Sequence, residues 1–176
     1  LFQTAQMVTT QSLSNLRWLI VSDHTTVESS LKILEVMKAH PRIDVVYNTG
    51  HKGLPCARNF GLRYVQSKYV AFLDDDDMME LTAYEKLVWM LESNPELDLG
   101  AFYILTYCAK NFTWTAGFHE GFKVFEENRL PVATMIRVSA LRDDQLQYNE
   151  AMLGGMEDWD LWLTLMEHGS WGYTIP

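Results

Sequence analysis

Short apolar runs alternate along the chain with stretches whose apolar residues recur every three or four positions. The runs have the length of buried strands, and the three-to-four spacing is typical of helices that lay one face on a core. In the last helix, Trp159 and Trp162 begin such a face, and Gly169 follows its end. The pattern predicts helices at 1–14, 25–40, from Pro55 onward, 80–93 and 157–168, and strands at 16–23, 43–48, 68–74, 99–108 and 131–138.

The alternation of strands and helices predicts an α/β fold with an open, mainly parallel sheet flanked by helices. In such sheets, ligands bind beyond the carboxyl ends of the strands. Asp23 follows one predicted strand and Asp74–Asp77 follow another, so we expect these carboxylates to share one edge of the sheet. Region 109–130 is rich in aromatic residues and glycine, and its pattern assigns no element.

Composition narrows the possible classes of protein. With 176 residues and 48% hydrophobic content, the chain suits one domain with a full core. Its net charge of −9 argues against a nucleic-acid partner. No apolar run approaches the roughly 20 residues that cross a bilayer. The two cysteines lack C-x-x-C spacing and suit a reducing compartment such as the cytoplasm.

The run Asp74–Asp77 is the strongest chemical signal. A solvated turn, with Asp77 capping the next helix, is the structural alternative. Four adjacent carboxylates repel one another unless a cation lies between them, and this favours a metal site. Carboxylates on a short turn suit Mg²⁺ or Mn²⁺, which take their remaining ligands from water and phosphate.

Two other segments carry candidate chemistry. In the glycine-flanked stretch 50–61, Arg58 offers a forked donor for phosphate or carboxylate, although glycine and proline there also suit an ordinary helix start. Glu157 and Asp158 open the last helix behind two glycines. The helix dipole accounts for one acidic residue at that position, and the other is a candidate general base.

Together these segments resemble the inverting glycosyltransferases of family 2, which have the GT-A fold, a Rossmann-like α/β arrangement. The resemblance extends over nearly the whole chain, with four motifs in the order of the family. They are LRWLIVSDHTT at 16–26, GLPCARNFGL at 53–62, YVAFLDDDDMM at 69–79 and YNEAMLGGMEDWDLWLTLMEHG at 148–169.

The resemblance implies a role for each motif residue on the donor side. Asp23 would contact the nucleotide base, and Asp74 the ribose or sugar of the donor. Arg58 and Asp75 are also expected to bind the donor. Asp76 would hold a Mn²⁺ or Mg²⁺ ion that bridges the diphosphate.

The last motif would supply the chemistry on the acceptor side. Asp158 would be the catalytic base, with Glu157 and Trp159 shaping the acceptor site. The resemblance therefore predicts metal-dependent, inverting transfer of a sugar from a nucleotide-diphosphate sugar to a hydroxyl of a glycan, lipid or polysaccharide acceptor. A nucleotidyltransferase, and a domain that only binds nucleotide sugar, are the alternatives.

The expected organisation is a single GT-A domain over 1–176, with a nucleotide-sugar half at 1–108 and an acceptor half at 109–176. The family has a first strand before the helix at 1–14 and a further segment after Pro176, so we expect a chain truncated at both ends. Any membrane association would come through such missing segments. The expected location is the cytoplasm or the cytoplasmic face of a membrane.

Overall fold

A computed structural model of the protein describes residues 1–106, 111–142 and 145–176. Helices and strands alternate through most of the chain, as predicted. The helices are α1 (Phe2–Thr10), α2 (Glu28–Met37), α3 (Leu54–Leu62), α4 (Ala83–Ser93), α5 (Val138–Arg142) and α6 (Glu157–Glu167), with a 3₁₀ segment at Phe118–Phe125. The strands are β1 (Trp18–Ser22), β2 (Ile43–Tyr47), β3 (Tyr69–Ala71), β4 (Leu99–Phe102), β5 (Ile104–Thr106), β6 (Phe112–Trp114), β7 (Met135–Arg137) and β8 (Gly172–Ile175).

The largest sheet has the strand order β3-β7-β4-β8. β7 lies antiparallel between β3 and β4, whereas β8 pairs parallel with β4. β1 and β2 form a separate parallel pair, and β5 and β6 form an antiparallel hairpin. The α/β class is confirmed, and the main sheet is mixed because β7 runs against both of its neighbours. Short parallel and antiparallel strands have similar runs of apolar residues, so the sequence pattern does not reveal the direction of β7.

One face of the main sheet packs on α6. Leu99 of β4 is paired with Ile136 of β7, so these two side chains point to the same side. They belong to one core cluster with Leu161 and Leu165 of α6, and all four side chains are fully buried. This packing fixes the orientation of α6 and therefore the position of its first turn.

The other face of the main sheet packs on α4. Gly100 points to this side, and a Cβ atom there would lie 2.8 Å from Met90 Cε and 3.0 Å from Leu87 Cδ2. Met135 of β7 joins the same cluster with Leu87 and Leu91. The sheet is thus covered by helices on both faces, which is the layered arrangement that the alternation predicts.

The differences from the predicted elements lie in short segments. The predicted strand 131–138 shortens to β7, because Pro131 opens a turn that Thr134 closes with two hydrogen bonds to the Pro131 carbonyl. β6, β8 and the 3₁₀ segment were not predicted, since elements so short show no clear periodicity. The predicted strand 99–108 divides into β4 and β5, and its last two positions, of which the second is Cys108, lie outside the described residues.

Cys56 is a buried free cysteine.

The apolar face of α6 also differs in detail from the prediction. The deepest positions are Leu161, Trp162 and Leu165, which are fully buried, whereas Trp159 is only half-buried.

Among the described residues, no helix combines the length and the apolar character that crossing a membrane requires.

Candidate functional site

Asp23 directly follows β1 and organises the loop that leads into α3. Its Oδ1 accepts a hydrogen bond from Asn48 Nδ2 at 2.8 Å, and its Oδ2 accepts one from the Gly53 backbone N–H at 2.9 Å. Gly53 has φ +138°, a conformation that favours glycine. The structure therefore joins two of the predicted motifs through this carboxylate, and the expected contact with a nucleotide base stays a prediction.

Arg58 of α3 lies between the other two motifs. Its Nη1 donates to Glu157 Oε1 at 2.6 Å, and its Nη2 donates to Asp74 Oδ1 at 3.1 Å. The guanidinium also stacks over the Tyr148 ring, 5.2 Å from the ring centroid. One arginine thus connects the turn after β3 to the first turn of α6, although the linked positions are up to 99 residues apart.

The two ion pairs of Arg58 differ in their exposure to water. The side chains of Arg58 and Glu157 are each only 8% exposed, whereas that of Asp74 is 43% exposed. A buried charge is tolerated only when it is paired and hydrogen-bonded, so Arg58 and Glu157 depend on each other. Asp74 keeps one side open to solvent and to any ligand there.

The aspartate turn, residues 74–77, is held through its backbone. The Asp77 N–H donates to the Asp74 carbonyl at 3.2 Å, and Thr4 Oγ1 donates to the Asp75 carbonyl at 2.8 Å. For the side chains of Asp75 and Asp76, the described part of the chain provides no hydrogen-bond or ion-pair partner. The turn therefore presents negative charge to solvent from a fixed backbone.

Burial and electrostatic repulsion both act on the carboxylates of this turn. Partial removal from water raises the pKa of the Asp77 carboxyl, and the charges of Asp74 and Asp76 raise it further. Across residues 1–106, 111–142 and 145–176, no group of three or more His, Cys, Asp and Glu side chains is arranged to hold a metal ion. The protein alone thus offers a partial ligand set, made of the exposed aspartate oxygens.

The first turn of α6 follows an unusual backbone. Gly155 has φ +108°, and Met156, the residue before the helix, has φ +65° in the left-handed region. Such conformations cost free energy for a residue with a side chain and are found often at functional sites. They turn the chain sharply, so Glu157 points inward to Arg58.

Asp158 is the second carboxylate of this turn, and it is half-buried. Asn128 Nδ2 lies 3.2 Å from each of its two oxygens, and Oδ1 also accepts from the Trp159 N–H at 2.8 Å. The Trp159 indole Nε1 donates to the Val124 carbonyl at 3.0 Å. The segment 118–130 is thereby attached to the start of α6 at two points.

Tyr148 lies beneath the ion pair and is 1% exposed. Its hydroxyl has no hydrogen-bond partner among the described residues. Burial raises the pKa of Tyr148 well above the usual value; the Arg58 charge opposes this shift, and the charge of Asp158 adds to it. The backbone of Tyr148 is fixed by the Asn59 side chain, which accepts from its N–H and donates to its carbonyl, both at 2.9 Å.

The structure brings Asp74, Arg58 and Glu157 into contact, with Asp158 next in the chain to Glu157. Arg58 was expected to bind the donor and Glu157 to lie on the acceptor side, and here the two are paired with each other; those roles stay predictions. Asn59 lies in the motif at 53–62, but nothing in the sequence indicated its role. Asn128 could not be found from the sequence, because a single asparagine in a region without a predicted element belongs to no pattern.

Comparisons with known proteins identify the family and the fold. The family model described as Glycosyl transferase family 2 matches residues 3–142. Among curated proteins, the chain is 29% identical over 150 residues to the putative teichuronic acid biosynthesis glycosyltransferase TuaG of Bacillus subtilis (strain 168). That match covers 85% of this chain and 50% of TuaG.

Two solved structures are similar in fold. S. aureus TarS 1-349 in complex with UDP-GlcNAc superimposes with a TM-score of 0.83 at 14% identity, covering 99% of this chain and 51% of that one. The mannosyltransferase PcManGT from Pyrobaculum calidifontis, in complex with GDP-Man and Mn²⁺, gives a TM-score of 0.72 at 15% identity, covering 99% and 50%. These similarities confirm the GT-A fold. The chain spans about half the length of each of these three proteins.

Proposed function

The chain belongs to glycosyl transferase family 2, and we propose that it catalyses metal-dependent, inverting transfer of a sugar from a nucleotide-diphosphate sugar to an acceptor hydroxyl. The observation that carries the proposal is the Arg58 bridge between Asp74 and Glu157. The bridge holds the aspartate turn, which is suited to a cation-bound diphosphate, close to the start of α6, where Asp158 offers a separate carboxylate. Sugar transfer requires both a stabilised diphosphate leaving group and a base for the acceptor hydroxyl.

In the proposed reaction, the acceptor oxygen forms a bond to the anomeric carbon as the bond from that carbon to the diphosphate oxygen breaks. The diphosphate leaves with the bonding electron pair, and the acceptor proton moves to Asp158. One carboxylate acting as general base is sufficient for attack from the face opposite the leaving group. The product then has the inverted configuration, because there is a single displacement.

The aspartate turn fits a divalent cation. Its carboxylates are hard oxygen ligands. Partial burial and, after it, the charges of Asp74 and Asp76 raise the pKa of Asp77, so ionised Asp77 carries an electrostatic cost that a cation would relieve. We propose that Asp76 would hold Mn²⁺ or Mg²⁺ when the donor is bound. When bound, the cation would stabilise the negative charge that develops on the departing diphosphate.

The relatives suggest the classes of donor and acceptor. TarS was solved with UDP-GlcNAc and PcManGT with GDP-Man, so UDP- and GDP-sugars are the first donors to test. The name of TuaG places that relative in teichuronic acid biosynthesis. We propose a carbohydrate or lipid-linked acceptor in the synthesis of a polysaccharide, with Asp23 and Asp75 on the donor side and Trp159 on the acceptor side.

The direct test is a transfer assay with the complete protein that contains this chain. UDP-GlcNAc and GDP-mannose are offered separately, with Mn²⁺ and with EDTA, and release of UDP or GDP is measured. We expect release that requires the cation. NMR of the product then reports the configuration at the anomeric carbon. A retained configuration contradicts the single displacement, and the absence of release with a full panel of nucleotide sugars contradicts glycosyl transfer.

A further inference from the structure

The side chain of Asn128 is the direct neighbour of the proposed base. Its Nδ2 lies 3.2 Å from Asp158 Oδ1 and 3.2 Å from Asp158 Oδ2. The backbone N–H of Leu130 donates to Asn128 Oδ1 at 3.4 Å, so the amide oxygen faces Leu130 and the amide nitrogen faces the carboxylate. We infer that Asn128 is a positioning residue, which orients Asp158 for proton transfer; this inference rests on the proposed function.

Asn128 is well placed for this task because a buried residue precedes it by four positions and another follows it by two positions in the segment 118–130. Val124 is 1% exposed and Leu130 is 2% exposed, and both belong to the core cluster under α6. The Val124 carbonyl also accepts the Trp159 indole N–H at 3.0 Å. A side chain carried between two buried anchors has little freedom, and hydrogen bonds to a charged group are stronger than those between neutral groups.

The hydrogen bonds also distinguish the two oxygens of Asp158. In the part of the chain that the structure describes, Oδ1 accepts from both Asn128 and the Trp159 N–H, whereas Oδ2 accepts from Asn128 alone. Because each carboxylate oxygen accepts about two hydrogen bonds, Oδ2 keeps room for one more. Oδ2 is therefore the oxygen that receives the acceptor proton, and the hydrogen bonds from Asn128 to both oxygens hold the carboxylate in one orientation.

Three variants of the complete protein test the inference. Asn128→Ala removes both the donor to Asp158 and the acceptor for Leu130. Asn128→Asp keeps the size and the Leu130 bond but places a second carboxylate against Asp158. Glu127→Gln is the control, because Glu127 is the residue next to Asn128 and its side chain is 65% exposed. This change removes only the negative charge that pairs with Arg129 at 2.8 Å.

We expect Asn128→Ala to lower kcat about 10- to 100-fold, as misplacement of a catalytic group does, with donor affinity and Tm nearly unchanged. Asn128→Asp should lower kcat more than Asn128→Ala, and Glu127→Gln should leave kcat unchanged. Turnover is followed as release of UDP or GDP from UDP-GlcNAc or GDP-mannose with Mn²⁺. If Asn128 only supported the local fold, Asp would be the milder replacement, because it preserves the bond to Leu130.

Near-normal kcat in both Asn128 variants overturns the inference, as does a loss of kcat that follows the loss of Tm. NMR adds a readout that needs no turnover. The side-chain amide protons of Asn128, identified by their disappearance in Asn128→Ala, should shift in Asp158→Asn, and unchanged resonances overturn the contact. If the unchanged protein transfers no sugar, the proposed function fails, while the NMR result still decides whether Asn128 and Asp158 interact.

Discussion

The start of α6 and the aspartate turn after β3 are both acidic, but their carboxylates differ in burial and in hydrogen bonding. In α6, Glu157 is buried against Arg58, and Asp158 is held by Asn128. In the turn, Asp75 and Asp76 are exposed, and partial burial together with the charges of Asp74 and Asp76 raises the pKa of Asp77. One region has its carboxylates paired by the protein, and the other presents them to solvent.

This difference separates carboxylates that hold the structure from those that are available to ligands. A carboxylate buried with an arginine has its hydrogen bonds satisfied, and removing either partner leaves an uncompensated charge. Exposed carboxylates on a turn are hydrated, have no protein cation beside them and repel one another, so binding a cation there stabilises them. Asp74 stands between the two cases, because it is paired with Arg58 and is 43% exposed.

The largest expected effect follows from breaking the buried pair. Arg58→Ala leaves Glu157 buried without a partner, so we expect a loss of about 3–5 kcal/mol in the free energy of unfolding. Urea unfolding of the complete protein, followed by tryptophan fluorescence, measures it. Glu157→Gln should cost less, since the amide oxygen can still accept from Arg58.

Arg58→Lys is the matched control, because it keeps the charge but cannot donate in a fork to two carboxylates. We expect intermediate stability and a weakened link to Asp74. If Arg58→Ala unfolds like the unchanged protein but no longer binds UDP-GlcNAc or GDP-mannose, Arg58 serves the donor rather than the bridge. That result would restore the role expected from the sequence.

The next effect concerns catalysis alone. Asp158→Asn preserves size and removes the proton acceptor, so kcat should fall about 10²–10⁴-fold, the range typical of a general base. Donor affinity should hardly change, and kcat/KM should fall with kcat. Release of UDP or GDP and calorimetric donor binding are measured on the same preparation. Near-normal turnover would exclude the general-base role, and a loss of donor binding would assign Asp158 to the donor site.

The exposed turn should respond differently. We expect Asp76→Asn to remove the Mn²⁺-dependent part of donor binding while leaving the unfolding midpoint nearly unchanged, since the side chain lies in solvent. Asp75→Asn is the comparison variant and should have a smaller effect, because Asp76 rather than Asp75 is the proposed ligand of the cation. Calorimetry with and without Mn²⁺ measures both. Equal metal dependence in Asp76→Asn and the unchanged protein contradicts the assignment of Asp76.

Much of the fold was predictable, because long helices and apolar strands leave a period in the sequence. The alternation gave the α/β class, and the order of four motifs pointed to the GT-A fold. The antiparallel direction of β7 and the short strand β8 were not predictable, since three or four residues carry no direction or period. Pro131 was a usable sign that the strand near it would begin later.

The site was predictable in its residues but not in their pairing. The sequence placed Asp74 after a strand and Glu157 at a helix start, whereas contact through Arg58 depends on how distant elements pack. One sign of burial was present: Glu157 lies four positions before Leu161 and eight before Leu165, on the fully buried face of α6. Contacts such as that of Asn128 with Asp158 left no comparable pattern.

The smallest expected effect tests the cost of ionising Asp77, which partial burial and the charges of Asp74 and Asp76 together produce. Because the pKa of Asp77 is raised in the folded protein, the folded state holds this proton more tightly than the unfolded chain does. Ionised Asp77 therefore lowers stability, by a penalty that is absent below the unfolded pKa and complete above the folded pKa. In metal-free buffer, Asp77→Asn should slightly raise the midpoint of urea unfolding at neutral pH. The gain should disappear below the unfolded Asp pKa of about 3.9. Asp75→Asn is the control, since the charge of Asp75 is not among the causes of the shift. A gain that persists in acid would contradict a charge effect, and no gain at neutral pH would mean that ionising Asp77 in this turn carries no cost for a cation to relieve.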